Sequence, residues 1–385
     1  MQHPTRLLAL ILSALCLACA AGPRAKATEI IPQFDTSITA QPDAAAIEAD
    51  ITYAVRTLDL LYTNPVTIPI TFRFQAIPCS TSNSCDVATS QTFIEPVPYL
   101  DYRSALTRDS TSNPGNATLA TAVAHLGEGN TAQSVVITQS QGQMLSQYGL
   151  PSSGHFGANI ITLNSNVAYT FAGPVLACPG QCRPAVHGIP VQPGTYDASA
   201  LLFHELNEIL GGGGQGSTLN ACLSGQCSAL GPLDLYRYSA DALPSYSTSA
   251  STHAYLSVDG GATDAAGTGV DFNAPAPGLD AGDFNDLSTA CQSNVALIQG
   301  YACAGTIAEA YSLASPEFAM MSALGWDHVP VPCTGRTCPV MRHAGADPVS
   351  GVLVPGTVPE PGSGWLFLSG VGLLGLLSRR ARKLF

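Results

Sequence analysis

His204-Glu205-Leu206-Asn207-Glu208 puts an imidazole and two carboxylates into one short run of chain. On an α-helix, positions i and i+4 share a face, so His204 and Glu208 could hold one metal ion while Glu205 reaches a water beside it. Metal-assisted hydrolysis needs this kind of set: nitrogen and oxygen ligands, an open position, and a carboxylate that can take a proton from water. The bland alternative is an acidic helix face with a capped or core histidine. A set with one histidine and two carboxylate ligands would carry two negative charges, which lowers the Lewis acidity of the metal compared with a neutral-histidine site.

A helix with clear ends must carry these residues. Asp197 is expected as its N-cap, Leu201, Leu202, Leu206, Ile209 and Leu210 form its apolar side, and Gly211 to Gly214 terminate it. Upstream, Ile47, Ile51, Ala54, Val55, Leu58 and Leu61 have helical spacing and predict a helix over 43–62. The β-branched alternation of 66–75 predicts a strand, with Pro69 pointing to a sheet edge or a strand start. Two helical pieces are expected around 102–108 and 117–126, then strand-like runs at 134–138 and 158–162. Beyond Gly231 the chain is turn-rich until a helix near the end of 308–324. These elements predict an α+β chain, long enough for one large domain with two lobes or for two domains, and no internal repeat is visible.

The ends read differently. Residues 1–27 run from Arg6 through apolar Leu7 to Ala21 and on to Ala25-Lys26-Ala27, the pattern of a cleaved secretory signal. At the other end Val358-Pro359-Glu360-Pro361 precedes an apolar run from Trp365 to Leu377 and the basic cluster Arg379-Arg380-Ala381-Arg382-Lys383. The apolar run is short for a stable span, which needs about 20 residues. A plain reading is a weak membrane anchor with a cytoplasmic basic flank. Between these ends, residues 28–361 hold eight basic against 27 acidic groups. No Lys/Arg stripe remains to neutralise phosphates, which disfavours nucleic-acid binding, whereas an acidic surface suits an extracellular protein and one that binds cations.

Ten cysteines lie outside the leader, in sequence-local pairs: Cys79/Cys85, Cys178/Cys182, Cys222/Cys227, Cys291/Cys303 and Cys333/Cys338. Even count, close pairing and an export signal predict short disulfide loops. Asp280, Asp283 and Asp286 crowd carboxylates into one loop that either binds calcium or is a solvated turn; its order does not match an EF-hand.

Two resemblances add to this reading. The order Pro-Glu-Pro, short apolar segment, basic cluster resembles the bacterial PEP-CTERM sorting signal. That implies export by a Gram-negative bacterium to the cell envelope, outer surface or medium, membrane attachment through the tail before processing, and an exosortase-type sorting enzyme as partner. The stretch Tyr196 to Gly211 resembles the active-site helix of zincin metalloproteases, and Glu317 to Asp327, ending Ala-Leu-Gly-Trp-Asp, is similar to the Met-containing segment of secreted metzincin-like proteins. With Gly231 to Ala240, Tyr255 to Gly261, Asp271 to Asn273 and Gly282 to Leu287 between them, the order resembles exported, PEP-CTERM-tailed proteins classed as metalloproteases, in which the helix commonly reads His-Glu-x-x-Glu.

The resemblance implies a zincin-like fold with a mixed sheet, an active-site helix and a disulfide-stapled irregular C-terminal lobe. It divides the chain into a signal peptide (1–27), a metalloprotease domain (28–328), a Pro/Gly-rich linker (329–357) and the sorting signal (358–385). It implies zinc held by His204 and Glu208, Glu205 as general base, and a protein or peptide substrate. A metzincin's third histidine would fall at 214, which is Gly here. Asp234 is therefore the first candidate for the third ligand, with Asp259 and Asp271 behind it; its bland reading is a turn or cap aspartate. Tyr236 or Tyr238 could stabilise an oxyanion or simply pack, and Met320 and Met321 could floor the metal or form helix core. The competing function is a non-catalytic surface or biofilm-matrix protein on the same scaffold.

Overall fold

The computed structural model describes residues 28–78, 86–127, 134–151, 157–171, 191–213, 229–239, 242–245, 254–262, 272, 304–305 and 316–328. The five cysteine pairs, the calcium candidates Asp280, Asp283 and Asp286, Asp271, the leader, the linker and the tail lie outside these residues.

The chain is mixed α/β. Strand β1 (Glu29–Phe34) is followed by a short helix α1 (Thr36–Thr39) and the long helix α2 (Ala44–Leu61), then by β2 (Thr67–Gln75). Strands β1 and β2 are parallel, with Glu29 opposite Thr67, so a crossover is needed, and α1 and α2 supply it. After β2 come β3 (Ala88–Gln91), β4 (Ile94–Pro98), α3 (Tyr99–Ser112), α4 (Ala117–His125), β5 (Ser134–Thr138), α5 (Gln139–Ser146) and β6 (Asn159–Asn164). The main sheet runs β1-β2-β6-β3, with β6 parallel to β2 and β3 antiparallel to β6 at the edge.

Of the two positions expected for Pro69, a sheet edge or a strand start, the edge is excluded, because β2 lies between β1 and β6, and Pro69 stands near the start of β2. The ladder explains how proline is accommodated: β6 begins pairing one residue later, at Ile70 opposite Asn159. The missing N–H of Pro69 costs no ladder bond to β6 there, and its carbonyl accepts from Asn159 Nδ2 at 3.2 Å.

Alternation decides which sheet face is covered. Ile68, Ile70 and Phe72 of β2, Ile161 and Leu163 of β6, and Ala88 and Ser90 of β3 are all buried. Thr67, Thr71, Arg73, Thr89 and Gln91 are less so. Over the buried face lie α2, packed on β1, and helix α6 (Ala198–Leu210), packed on β3 and β6; the two helices also pack on each other, with Tyr53 and Phe203 edge-to-face at 6.1 Å. No described helix is long and apolar enough to cross a membrane.

A second small sheet, β4-β5-β9 (β9, Ala229–Leu230), adjoins α3 and α5, and α4 packs on α3. Short pairs β7 (Tyr169–Thr170) with β8 (Tyr196–Asp197), and β10 (Arg237–Ser239) with β11 (Ala254–Leu256), complete the described strands. Helix α7 (Pro316–Ala323) and the Leu-Gly-Trp-Asp segment after it return to the N-terminal part. Thr63 N–H donates to the Asp327 carbonyl at 2.9 Å, Asp327 N–H to Asn64 Oδ1 at 2.7 Å, and Tyr62 stacks on fully buried Trp326 at 5.5 Å.

Candidate metal centre

Helix α6 carries the residues of interest, and its ends are built as the sequence predicts. Asp197 Oδ1 accepts from the N–H groups of Ser199 and Ala200 at 3.1 and 3.3 Å, satisfying two donors of the first turn. Gly211 ends the helix with φ at +104°, a left-handed conformation that favours glycine. At Gly212 a Cβ would stand 2.5 Å from Met321 Sδ, so α7 can press on the helix end only because no side chain is there. The Leu210 carbonyl, left over at the helix C-terminus, accepts from Trp326 Nε1 at 3.0 Å. An Asp197→Ala variant is expected to lose about 1 to 2 kcal/mol of stability, read as a lower urea midpoint with unchanged slope.

Within this frame His204, Glu205 and Glu208 converge: one ligand atom from each lies within 4.8 Å of the others, the only such group among the described residues. His204 Nε2 faces Glu208 Oε1 at 3.3 Å. That is long for a hydrogen bond, but two ligand atoms about 2.0–2.1 Å from one tetrahedral zinc ion stand about 3.3 Å apart. The donor types and their separation therefore fit zinc. Glu205 and Glu208 are nearly buried, while the side chain of His204 keeps 13% of its exposure, enough to open the group to solvent.

The second carboxylate oxygen of Glu208 is taken. Ser90 Oγ, on β3, donates to Glu208 Oε2 at 2.6 Å. Burial by itself pushes the Glu208 carboxyl up, but the nearness of His204, and after it of Ser90 and Glu205, outweighs burial and holds Glu208 below its ordinary value. Tyr169 feels the charge of the trio: burial first, and then the charge of Glu205, raise its phenol, and its hydroxyl lies within hydrogen-bond reach of the Val87 and Asn164 carbonyls.

Other candidates stand elsewhere. Asp234 lies outside the trio, in a 3-10 turn (Pro232–Tyr236) where its Oδ2 accepts from the Gly231 N–H at 2.8 Å. Asp259 Oδ1 accepts from Ser257 Oγ at 2.7 Å in a turn. Tyr236 is buried, with its hydroxyl donating to the Ala323 carbonyl at 3.1 Å, and Tyr238 packs beside Gly261. Met320 and Met321 are fully buried. Ser90 and Tyr169 carry no signal in the sequence that ties them to the trio. Ser90 lies 118 residues from its partner, in a strand without a large apolar residue.

The PEP-CTERM protein-sorting motif matches residues 357–383. The chain is thus an exported protein of the cell envelope or outer surface of a Gram-negative bacterium, with a tail of the kind that exosortase recognises. No curated protein and no solved structure matches the chain.

Proposed function

We propose that this exported chain is a zinc-dependent peptidase on a zincin-like fold, with His204 and Glu208 as metal ligands and Glu205 as general base. The observation that carries the reading is the 3.3 Å approach of His204 Nε2 to Glu208 Oε1 with Glu205 in the same group. The mixed sheet supports it too, because the antiparallel edge strand β3 packs beside the helix that bears the trio.

Zinc bound there would supply Lewis acidity to a water and a scissile carbonyl. His204 offers Nε2 as a nitrogen donor, and Glu208 offers Oε1 while Ser90 holds Oε2. Glu205 takes the proton of the attacking water and delivers it to the leaving amine. The substrate class is protein or peptide outside the cell.

A second reading rests on Asp234. With Oδ2 serving the 3-10 turn, the described residues give the centre two protein ligands, His204 and Glu208, where a catalytic zinc site uses three. The chain is then a non-catalytic surface or biofilm-matrix protein on the same scaffold. Elemental analysis of the purified full chain and of His204→Ala decides the metal, and turnover of a peptide library decides the chemistry. The expected result is about one zinc per chain, lost in the variant, with hydrolysis by the wild type. Folded wild type that cannot be loaded with zinc removes the peptidase reading, and zinc without turnover leaves the matrix protein.

A further inference from the structure

We infer that Ser90 is a positioning residue of the metal centre, fixing how Glu208 meets the ion, so that the edge strand β3 takes part in the centre through it. The inference rests on the zinc reading above.

The geometry is built from the strand upward. In β3 the alternation turns Ala88 and Ser90 toward the helix layer and Thr89 and Gln91 away from it. The ladder to β6, with Ser90 opposite Ile161, fixes where the Ser90 Cβ stands. A serine hydroxyl has one proton to give, and here it goes to Glu208 Oε2 over 2.6 Å, the length of a charge-assisted bond.

This leaves Oε1 as the oxygen that faces His204 Nε2 at 3.3 Å. A glutamate has three rotatable side-chain bonds, and a free carboxylate can offer one oxygen or both to a cation. The bond from Ser90 selects one orientation and presents a single oxygen. Without it Glu208 can turn toward Glu205, its neighbour in the group, or swing both oxygens toward the ion. A purely space-filling Ser90 would have no such consequence.

The test is zinc affinity of the full chain, measured by competition with a chromophoric chelator, for wild type, Ser90→Ala, Ser90→Cys, Ser90→Thr and Thr89→Val. Ser90→Cys keeps the volume and weakens the donor, which separates lost packing from a lost hydrogen bond. We expect Ser90→Ala and Ser90→Cys to bind zinc roughly tenfold to a hundredfold more weakly, Ser90→Thr to recover most of the loss, and Thr89→Val, on the other face, to match wild type. Cobalt substituted into Ser90→Ala should show a weaker visible absorption, as a second carboxylate oxygen enters its coordination sphere. Wild-type affinity in both Ser90→Ala and Ser90→Cys, with binding still abolished by His204→Ala, overturns the role of Ser90 and leaves the metal centre standing. Failure of the wild type to bind zinc overturns the metal centre and this inference with it.

Discussion

Replacing Glu205 with Gln is expected to leave the zinc content at its wild-type level and to lower peptide turnover by about 10²- to 10⁴-fold, the usual contribution of a general base. Gln keeps the shape and one acceptor oxygen of Glu, so the nearly buried position next to His204 stays filled. What it loses is the ability to take a proton. The metal reading makes His204 and Glu208 the ligands, so the ion should survive the change. Elemental analysis and turnover on the same sample check both halves. Full turnover in the variant would show that Glu205 is not the base, and loss of zinc would make Glu205 a ligand instead. Unfolding of the variant would mark it as a structural carboxylate.

The trio could be read from the sequence because its geometry is local. Positions i, i+1 and i+4 of a capped helix meet whatever the rest of the fold does, and Asp197 and Gly211 fix the ends of that helix. Helix α2 was equally legible, since the residues that set its periodicity, from Ile47 to Leu61, are the ones it buries. Strands β1, β3 and β4 were not. The first mixes Ile30 with Pro32 and exposed Ile31, β3 is Ala-Thr-Ser-Gln, and β4 holds Pro96 and Pro98 around a single buried apolar residue, Val97. Helix α5 was hidden for another reason: Gln139, Ser140 and Gln141 are buried polar residues, so hydrophobic periodicity is nearly silent there. Its Gly142 is closely packed: a Cβ there would stand 2.9 Å from Glu95 Oε1 and 3.3 Å from Ile137 Cδ1.

The same distinction separates the site from its supports. Asp234 attracted attention as a carboxylate in Gly-Pro-Leu-Asp, yet that spelling also suits a cap, with Pro at the first helical position and a carboxylate that reaches back to the Gly231 N–H. Local chemistry favoured neither use, and in the fold one of its two oxygens, Oδ2, serves the cap. Ser90 and Trp326, which hold Glu208 and the helix C-terminus, reach the site only through tertiary packing. Such contacts have no sequence period to read.

Stability is expected to fall as pH rises from about 4 to about 7, and Asp109→Asn should abolish most of that fall. Asp109 on α3 and Asp327 after α7 form a buried carboxyl pair, at 0% and 7% exposure. Asn113 Nδ2 donates to Asp109 Oδ1 at 2.7 Å, and Asn116 Nδ2 to Asp327 Oδ1 at 3.1 Å. Gly325 leaves room for the pair, since a Cβ there would lie 2.9 Å from Asp109 Oδ2. Burial, and then the charge of Asp327, push the Asp109 carboxyl up to about 7, against hydrogen bonds from Asn113 and Tyr148. Asp327 is raised as well, mainly by burial, with Asn116, Asp109 and His328 acting against the shift.

The pair therefore keeps a proton that an unfolded aspartate, with a pKa of about 3.9, would release. Between the two values the native state binds more protons, so its stabilisation is fully present below the unfolded pKa and is lost as pH rises through the folded one. The effect is on the order of 3 kcal/mol. Asn at 109 imitates the protonated acid: its amide N–H can serve Asp327 while its oxygen still accepts from Asn113. Urea midpoints at pH 5 and pH 8 are the measurement. Wild type should be clearly weaker at pH 8, and Asp109→Asn should show a much smaller difference, the remainder coming from Asp59, whose carboxyl burial pushes up to about 6. An unchanged pH dependence in the variant would mean that the proton sits elsewhere. Because Trp326, next to Asp327, holds the Leu210 carbonyl at the end of α6, loss of this proton should loosen the helix that carries His204, Glu205 and Glu208 from its far end.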